Sequence, residues 1–474
     1  MNLVRGALLG TAAVLTFGTG TQAADLPSRK AAPVAYVKIC DVYGRGFYYI
    51  PGTSTCLRVG GRVRFVFAYR PSTNVWRHNQ GRSGGRYYDG RLNDTLGWRS
   101  RAYVNMDART QTAWGTVQTV ISIALRSRSG LFGGSSEGPK GNISASPQVY
   151  AAYIRFAGFT LGRARGNFYF MPSRMLEPQY YSSSSTGEVQ LAYTAVLGGG
   201  VSATLALEDR TDFGYETRFS GLNVGGTGYP VSATAEAINR SVVVIGNVRI
   251  DKGWGKAQVM AAYVPNQWLV DNGASGIHSA SKAGWAVGVG VTFNLPSLSN
   301  RDKIHFMAAY ADGALDFTHS RYATGNTSHG RMMGGMRSEY ANLNFYTDPV
   351  SGSLRSASNT SWSIAAIFEH QWSKTLKSNF AASYLNIDAP AIACAQNWYT
   401  AGGICGTKAY SIAANLEWSP TRGFVIIGEL AYRKNINNLG SAGPVWGSAA
   451  APNTIGVKKD PDMFFGRLRV QRTF

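Results

Sequence analysis

Three pairs of arginines, Arg62 with Arg64, Arg99 with Arg101 and Arg467 with Arg469, are the residues of this chain best placed to do chemistry. An i, i+2 spacing sets both members of a pair on one face of a β-strand. Guanidinium is planar, permanently charged and donor-only, so rows of it gather anions rather than move protons. The other candidates are weaker. Gly81–Gly85 and Gly134–Gly138 both read Gly-x-Ser-x-Gly. A nucleophile elbow needs a strand before it and a helix after it, and both matches lie in glycine-rich loop sequence. His78, His278, His305, His319, His329 and His370 show no metal-ligand spacing, and no phosphate-cradling Gly-x-x-x-x-Gly-Lys-Ser/Thr motif is present. No Ser/His/Asp set can be assembled. The reading therefore has no catalytic residue, no cofactor and no metal; the chemistry on offer is electrostatic.

The elements that would carry these arginines are strands with two unlike faces. Phe424, Ile426, Gly428, Leu430 and Tyr432 share one parity, while Val425, Ile427, Glu429 and Arg433 share the other. Tyr410-Ile412-Ala414-Leu416-Trp418 and Trp285-Val287-Val289-Val291-Phe293 repeat the habit, with an aromatic residue at each end of the apolar face. Such runs span roughly 20–25 Å at ~3.3 Å per residue and a 40° tilt, the height of the lipid-facing band of an outer-membrane barrel with its two aromatic girdles. A soluble sandwich also alternates but has no reason to place aromatics at both ends of one face.

Composition agrees. The chain has 474 residues, only 15% charged, with 56 Gly and near-neutral mean hydropathy. After the N-terminus no apolar run approaches a spanning helix. Arg5, the apolar stretch Ala7–Phe17 and the small residues before Ala24 read as a secretory signal over residues 1–23. Its removal takes away one Arg and no acid, so the net charge of +21 becomes +20. Cys40 with Cys56 and Cys394 with Cys405 form two local pairs, read as disulfides in an exported chain, with free thiols as the alternative.

Sixteen strands are expected, at 57–70, 96–108, 112–126, 148–157, 158–164, 187–197, 200–209, 240–250, 254–264, 283–295, 302–312, 360–372, 375–388, 407–418, 423–434 and 462–474. Segments 36–50 and 338–347 could each pass as a further one. Long connections alternate with short turns, as in barrels with long external loops and tight periplasmic turns. The expected class is an all-β transmembrane antiparallel barrel spanning 57–474, after an N-terminal segment 24–56.

Closing the barrel joins its last strand to its first, which brings the six arginines together on one stretch of wall. Their opposite faces carry Val63, Phe65 and Phe67, or Trp98 and Val104, or Phe464 and Leu468. An Arg aimed into lipid near the midplane costs roughly 2–4 kcal/mol, so the arginines face a water-filled lumen. They either line a passage that attracts anions or are neutralised by acids on a folded-in loop. The third long loop, 165–186, is the candidate constriction. Asn167-Phe168-Tyr169-Phe170-Met171 is too apolar for an exposed loop, and Arg174 and Glu177 are its charged residues at the narrowing. Nucleic acid is not an expected partner, because the basic residues sit on strand faces.

Val37-Lys38-Ile39-Cys40-Asp41-Val42-Tyr43-Gly44 and Gly46-Phe47-Tyr48-Tyr49-Ile50-Pro51-Gly52-Thr53-Ser54-Thr55-Cys56-Leu57 resemble the N-terminal signature of alphaproteobacterial (rhizobial-type) outer-membrane porins. Ala24-Asp25-Leu26-Pro27 and the terminal Phe474 also fit that family. The resemblance implies a homotrimeric, sixteen-stranded general diffusion channel for small hydrophilic solutes, with the third loop narrowing the pore. It implies that Phe474 belongs to the signal read by the outer-membrane assembly machinery, and that outer-membrane lipid and lipopolysaccharide surround the barrel. One departure stands out: constriction loops of porins are often strongly acidic and this one is not. A lean toward anions is the resulting expectation, with a substrate-specific uptake channel as the alternative.

Overall fold

A computed structural model of the chain describes residues 38–70, 77–78, 87–88, 95–132, 146–176, 179–182, 187–209, 218–223, 232–237, 242–271, 277–319, 343–347, 354–392, 404–439 and 462–474. Residues 1–23, expected to be a secretory signal, Glu177 and Cys394 lie outside them. Sixteen antiparallel strands close into a barrel. They are β1 Thr55–Tyr69, β2 Leu96–Thr112, β3 Gly115–Gly130, β4 Ser146–Phe156, β5 Phe159–Ala164, β6 Glu188–Gly198, β7 Val201–Asp209 and β8 Val242–Lys252. The circuit continues with β9 Gly255–Asp271, β10 Ile277–Asn294, β11 Lys303–Asp312, β12 Thr360–Gln371, β13 Leu376–Asp388, β14 Ile404–Thr421, β15 Phe424–Leu439 and β16 Asp462–Thr473. No described helix is long and apolar enough to cross a membrane.

The outward parity is the apolar one. Val63, Phe65, Trp98, Val104, Trp285, Val287, Ile364, Ile412, Leu430 and Phe464 are all exposed on the outer surface. Their aromatic members pair across strands at two heights. Trp285 with Tyr310, Trp362 with Tyr384, Tyr410 with Tyr432 and Tyr432 with Phe464 stack near the long-loop ends. Phe159 with Tyr193, Trp254 with Phe293 and Phe368 with Phe380 do so near the short turns. Tyr410 and Trp418 on β14 are eight positions apart, about 20 Å of height at the usual rise and tilt, which matches a hydrocarbon slab. Exposed rings on both rims and aliphatics between them are what lipid selects, since water offers no return for such a surface.

Three expectations are revised. Residues 265–282, read as a connection, are mostly strand, because β9 and β10 stay paired from Gly255↔Phe293 out to Asp271↔Ile277. Ladder hydrogen bonds carry this hairpin beyond the lipid band, where burial no longer dictates periodicity. Leu343–Thr347 is a strand, but it pairs with Leu354–Ser358 outside the barrel wall. Among the described residues 38–50, the one strand is Tyr48–Tyr49, against Leu57 and Cys56 at the foot of β1, with an isolated bridge from Ile39 to Tyr48.

Closure rests on the last residue. Gly61 and Phe474 exchange both backbone hydrogen bonds at 2.9 Å, extending the β1–β16 register that starts at Tyr69↔Gly466. The Phe474 ring lies against Gly61 on the outer face; a Cβ there would fall 2.7 Å from Phe474 Cζ and 2.7 Å from the Tyr103 carbonyl oxygen. Only glycine leaves room for that ring. Gly61→Val is expected to cost about 1–3 kcal/mol through overpacking at the seam. Unheated gels at graded temperatures check it, the folded band disappearing at a lower temperature than in the parent.

The N-terminal segment hangs below β1. Cys40 and Cys56 form a disulfide and bury Phe47 between them. The Phe47 ring carries the guanidinium groups of Arg58 at 4.8 Å and Arg109 at 5.0 Å. Both arginines are ion-paired to Asp107, at 3.2 and 2.8 Å. The short-turn mouth is thereby tied to the hairpin by cation–π contacts and a shared carboxylate.

Candidate functional site

Register decides what the inward arginines face. On β1, β2 and β3, Arg64 stands opposite Arg101 and Arg101 opposite Arg126, so three guanidinium side chains share one rung. One rung nearer the outside, Arg99 opposes Arg128, and Val66 lies between Arg99 and Arg469 of β16. Arg467 sits beside Ala68, and Arg62 beside Tyr103. All six arginines expected at the wall therefore gather there, on the face shared with buried Val66, Ala68 and Tyr103. Arg128 lies beyond the expected third strand, which ends at 126, and Arg126, inside that strand, was not among the expected wall residues. Their signal was present: Arg126, Arg128 alternate with Ser127, Ser129 in the parity of Ala124.

Like charges directly opposed on neighbouring strands destabilise a sheet. The structure manages this with uncharged partners. Arg64 Nε donates to Gln471 Oε1 at 2.9 Å, and Arg101 Nη1 donates to the Tyr103 hydroxyl at 3.2 Å. Arg62 lies 4.1 Å over the Tyr103 ring and Arg99 4.3 Å over Phe132. Among the described residues, no carboxylate lies within ion-pairing distance of Arg62, Arg64, Arg99, Arg101, Arg128 or Arg469. These groups are held in place without being neutralised.

The third loop explains where the acids went. Residues 165–176 and 179–182 turn into the barrel, and Phe168, Phe170, Met171, Met175 and Tyr181 are buried there. They pack on an inner wall of small residues, including Ala192, Ala206, Ala286, Ala309, Ala365 and Ala413. Gly288 and Gly290 of β10 complete the seat, since a Cβ would meet Phe168 at 3.0 Å and Phe170 at 2.2 Å. Phe317, from the turn Leu315–Phe317, closes over Phe168 with ring centroids 4.7 Å apart. Burying these side chains contributes about 1.5–3 kcal/mol each, which holds an otherwise costly loop inside the lumen.

Polar anchors fix its path. Glu208 Oε1 accepts from Asn167 N at 2.7 Å and Asn167 Nδ2 at 2.8 Å, while the Tyr169 hydroxyl donates to Glu188 at 2.9 Å. Across the lumen, Arg174 Nε donates to Glu369 at 2.8 Å, and Leu176 N donates to Glu429 at 2.6 Å. Tyr180 N donates to Ser383 Oγ at 3.0 Å, and Arg467 Nη1 donates to the Leu176 carbonyl. Glu369 also receives His305 at 2.7 Å and lies 3.7 Å from Lys377. Burial, with Glu188 and Glu208 nearby, holds the Tyr169 phenol well above its ordinary pKa, and burial raises Tyr181 likewise, so both stay neutral. Burial pushes His319, next to the Phe317 turn, down to about 3, which keeps it uncharged beside the loop.

Arg174, expected at the narrowing, thus serves as an anchor to Glu369. Arg467 likewise clamps the loop as well as belonging to the arginine wall. Glu177 and Cys394 fall outside the described residues, so neither the second expected charge nor the Cys394–Cys405 pair is assessed. The wall acids Glu188, Glu208, Glu369 and Glu429 are turned to holding the loop, leaving the arginine side of the lumen cationic. Glu429→Ala should leave the buried Leu176 N–H without its acceptor, a cost of about 1–3 kcal/mol. Single-channel traces of that variant are expected to flicker between conductance levels where the parent is quiet.

The model of the family described as the Porin subfamily matches residues 25–466, nearly the whole chain. The chain belongs to this porin family. Porin Omp2b of Brucella suis is 29% identical over 278 residues, covering 56% of this chain and 68% of that protein. Porin Omp2b of Brucella canis is 30% identical over 274 residues, with 56% and 67% covered. The outer membrane channel DcaP of Acinetobacter baumannii has the same fold, with a TM-score of 0.56 over 90% of this chain and 99% of that one at 15% identity. This porin is accordingly an outer-membrane β-barrel and a general diffusion channel, a passive conduit rather than an enzyme.

Proposed function

We propose that this porin forms a homotrimer whose channels lean toward anions while passing small hydrophilic solutes. The observation that carries the lean is the division of charge across the lumen. Arg62, Arg64, Arg99, Arg101, Arg128 and Arg469 have no carboxylate within ion-pairing distance among the described residues, and the wall acids Glu208, Glu369 and Glu429 are engaged in fastening the third loop. Rows of fixed cations beside a passage raise the local anion concentration and lower that of cations. Solutes would cross between the loop and the arginine wall, with outer-membrane lipid and lipopolysaccharide against the aromatic belts and Phe474 read by the assembly machinery. The test is the zero-current potential in a KCl gradient across a planar bilayer, with liposome swelling in neutral sugars of graded size. The expected sign is that of chloride preference; a potassium preference would overturn the lean, and swelling with one sugar alone would overturn general diffusion.

A further inference from the structure

We infer that the arginine rungs are a binding subsite for doubly charged tetrahedral oxyanions, the phosphate group of inorganic phosphate or of phosphate monoesters. The inference rests on the anion-leaning reading and adds a ligand class to it. Three observations carry it. First, Arg64, Arg101 and Arg126 stand in one rung and Arg99 with Arg128 in the next. Opposed Cβ atoms on adjacent strands lie about 4.5–5.5 Å apart and successive rungs about 7 Å, so two or three guanidinium forks can reach one oxyanion. Second, several of these guanidinium groups keep an unused donor. Buried Nε atoms of Arg62, Arg99, Arg101 and Arg128 have no hydrogen-bond acceptor among the described residues, while Tyr103, Phe132 and Gln471 fix their planes. Third, the cations of these rungs are all arginine. A bare field for halide ions would be served equally by lysine, whereas planar forks suit bidentate capture of phosphate oxygens.

Stacking like charges costs stability, and a dianion shared by a rung repays it more than chloride can, because the Coulomb attraction doubles with the ligand charge. Val66, Ala68 and Ala124 are small inward neighbours of the rungs, and the rings packed against the guanidinium groups are those of Tyr103 and Phe132.

The trimer as purified, in a planar bilayer in KCl at pH 8, is exposed to inorganic phosphate, glucose 6-phosphate or glucose. At that pH a phosphomonoester carries two charges, its second pKa being about 6. Both phosphates are expected to reduce the chloride current in a saturable way at millimolar concentration, and glucose is expected to leave it unchanged. The variant Arg64→Lys with Arg101→Lys keeps the charge and removes the forks. It is expected to keep the sign of the parent's chloride preference while phosphate block weakens at least fivefold. Chloride preference without phosphate block, or equal block in the lysine variant, would overturn the subsite and leave the anion lean standing. Potassium preference in the parent would instead remove the underlying reading. Block by glucose 6-phosphate without block by inorganic phosphate would also overturn it, since the phosphate group is the shared determinant.

Discussion

With Arg64, Arg101 and Arg126 all changed to serine, the chloride-over-potassium permeability ratio falls roughly twentyfold and the barrel still folds. A unit charge about 7 Å from a passing ion in water contributes roughly 0.6 kcal/mol, and screening at 0.1 M salt halves this. Three such charges removed amount to about 0.9 kcal/mol for a monovalent anion and the opposite for a cation, so the ratio of the two shifts by about 1.8 kcal/mol, roughly twentyfold. Folding is expected to survive because the rung is a cluster of like charges whose loss relieves repulsion. None of the three holds the third loop in the contacts described, unlike Arg467, whose replacement would disturb the loop through Leu176. Reversal potentials in a KCl gradient, with the folded band on unheated gels as the control, read both halves of the prediction. An unchanged ratio would mean that ions pass elsewhere in the lumen.

Gly290→Leu is expected to narrow the channel. A Cβ at that position would sit 2.2 Å from Phe170 Cδ1, against an ordinary contact of about 3.5–4.0 Å. The ring therefore has to retreat by more than an ångström, and behind it is wall, so it moves toward the arginine side. The remaining anchors, at Glu208, Glu369 and Glu429, keep the loop within the lumen. Single-channel conductance should drop by an amount on the order of tens of per cent for such a displacement. The cutoff in liposome swelling should move to smaller sugars. Gly428→Leu is the control, because a Cβ there meets nothing within 4 Å. A wider cutoff in Gly290→Leu would show that the loop leaves its seat altogether.

Much of this architecture was legible in the sequence because two solvents impose a period of two. Lipid forces Phe65, Trp285 and Leu430 outward, and a charge on the wrong parity is too costly to persist, so strand identity and the inward aim of Arg62, Arg101 and Arg467 follow from spacing alone. Strand ends were less legible where that pressure stops. The upper reaches of β9 and β10 stand above the lipid, and there only backbone pairing sets the limits. The same cause hid Arg128 at the upper part of β3.

The loop contacts were the least readable. Phe168 and Phe170 announced that the segment needed a wall, but nothing in its own residues named Gly288 and Gly290 as the place. Arg174 read as a pore charge, and it is fastened to Glu369, 195 positions away. Long-range pairing of this kind has no local period, so it becomes visible only when the strands are arranged around the axis.

The alanine and glycine seat has an evolutionary corollary. In the proposed reading, which molecules are admitted depends on a handful of small side chains under one loop and on a few arginine rungs, whereas residence in the membrane depends on the opposite parity of the same strands. A lineage can therefore alter its diet by enlarging or shrinking single methyl groups on the concealed face, without renegotiating export, insertion or contact with its neighbours in the envelope.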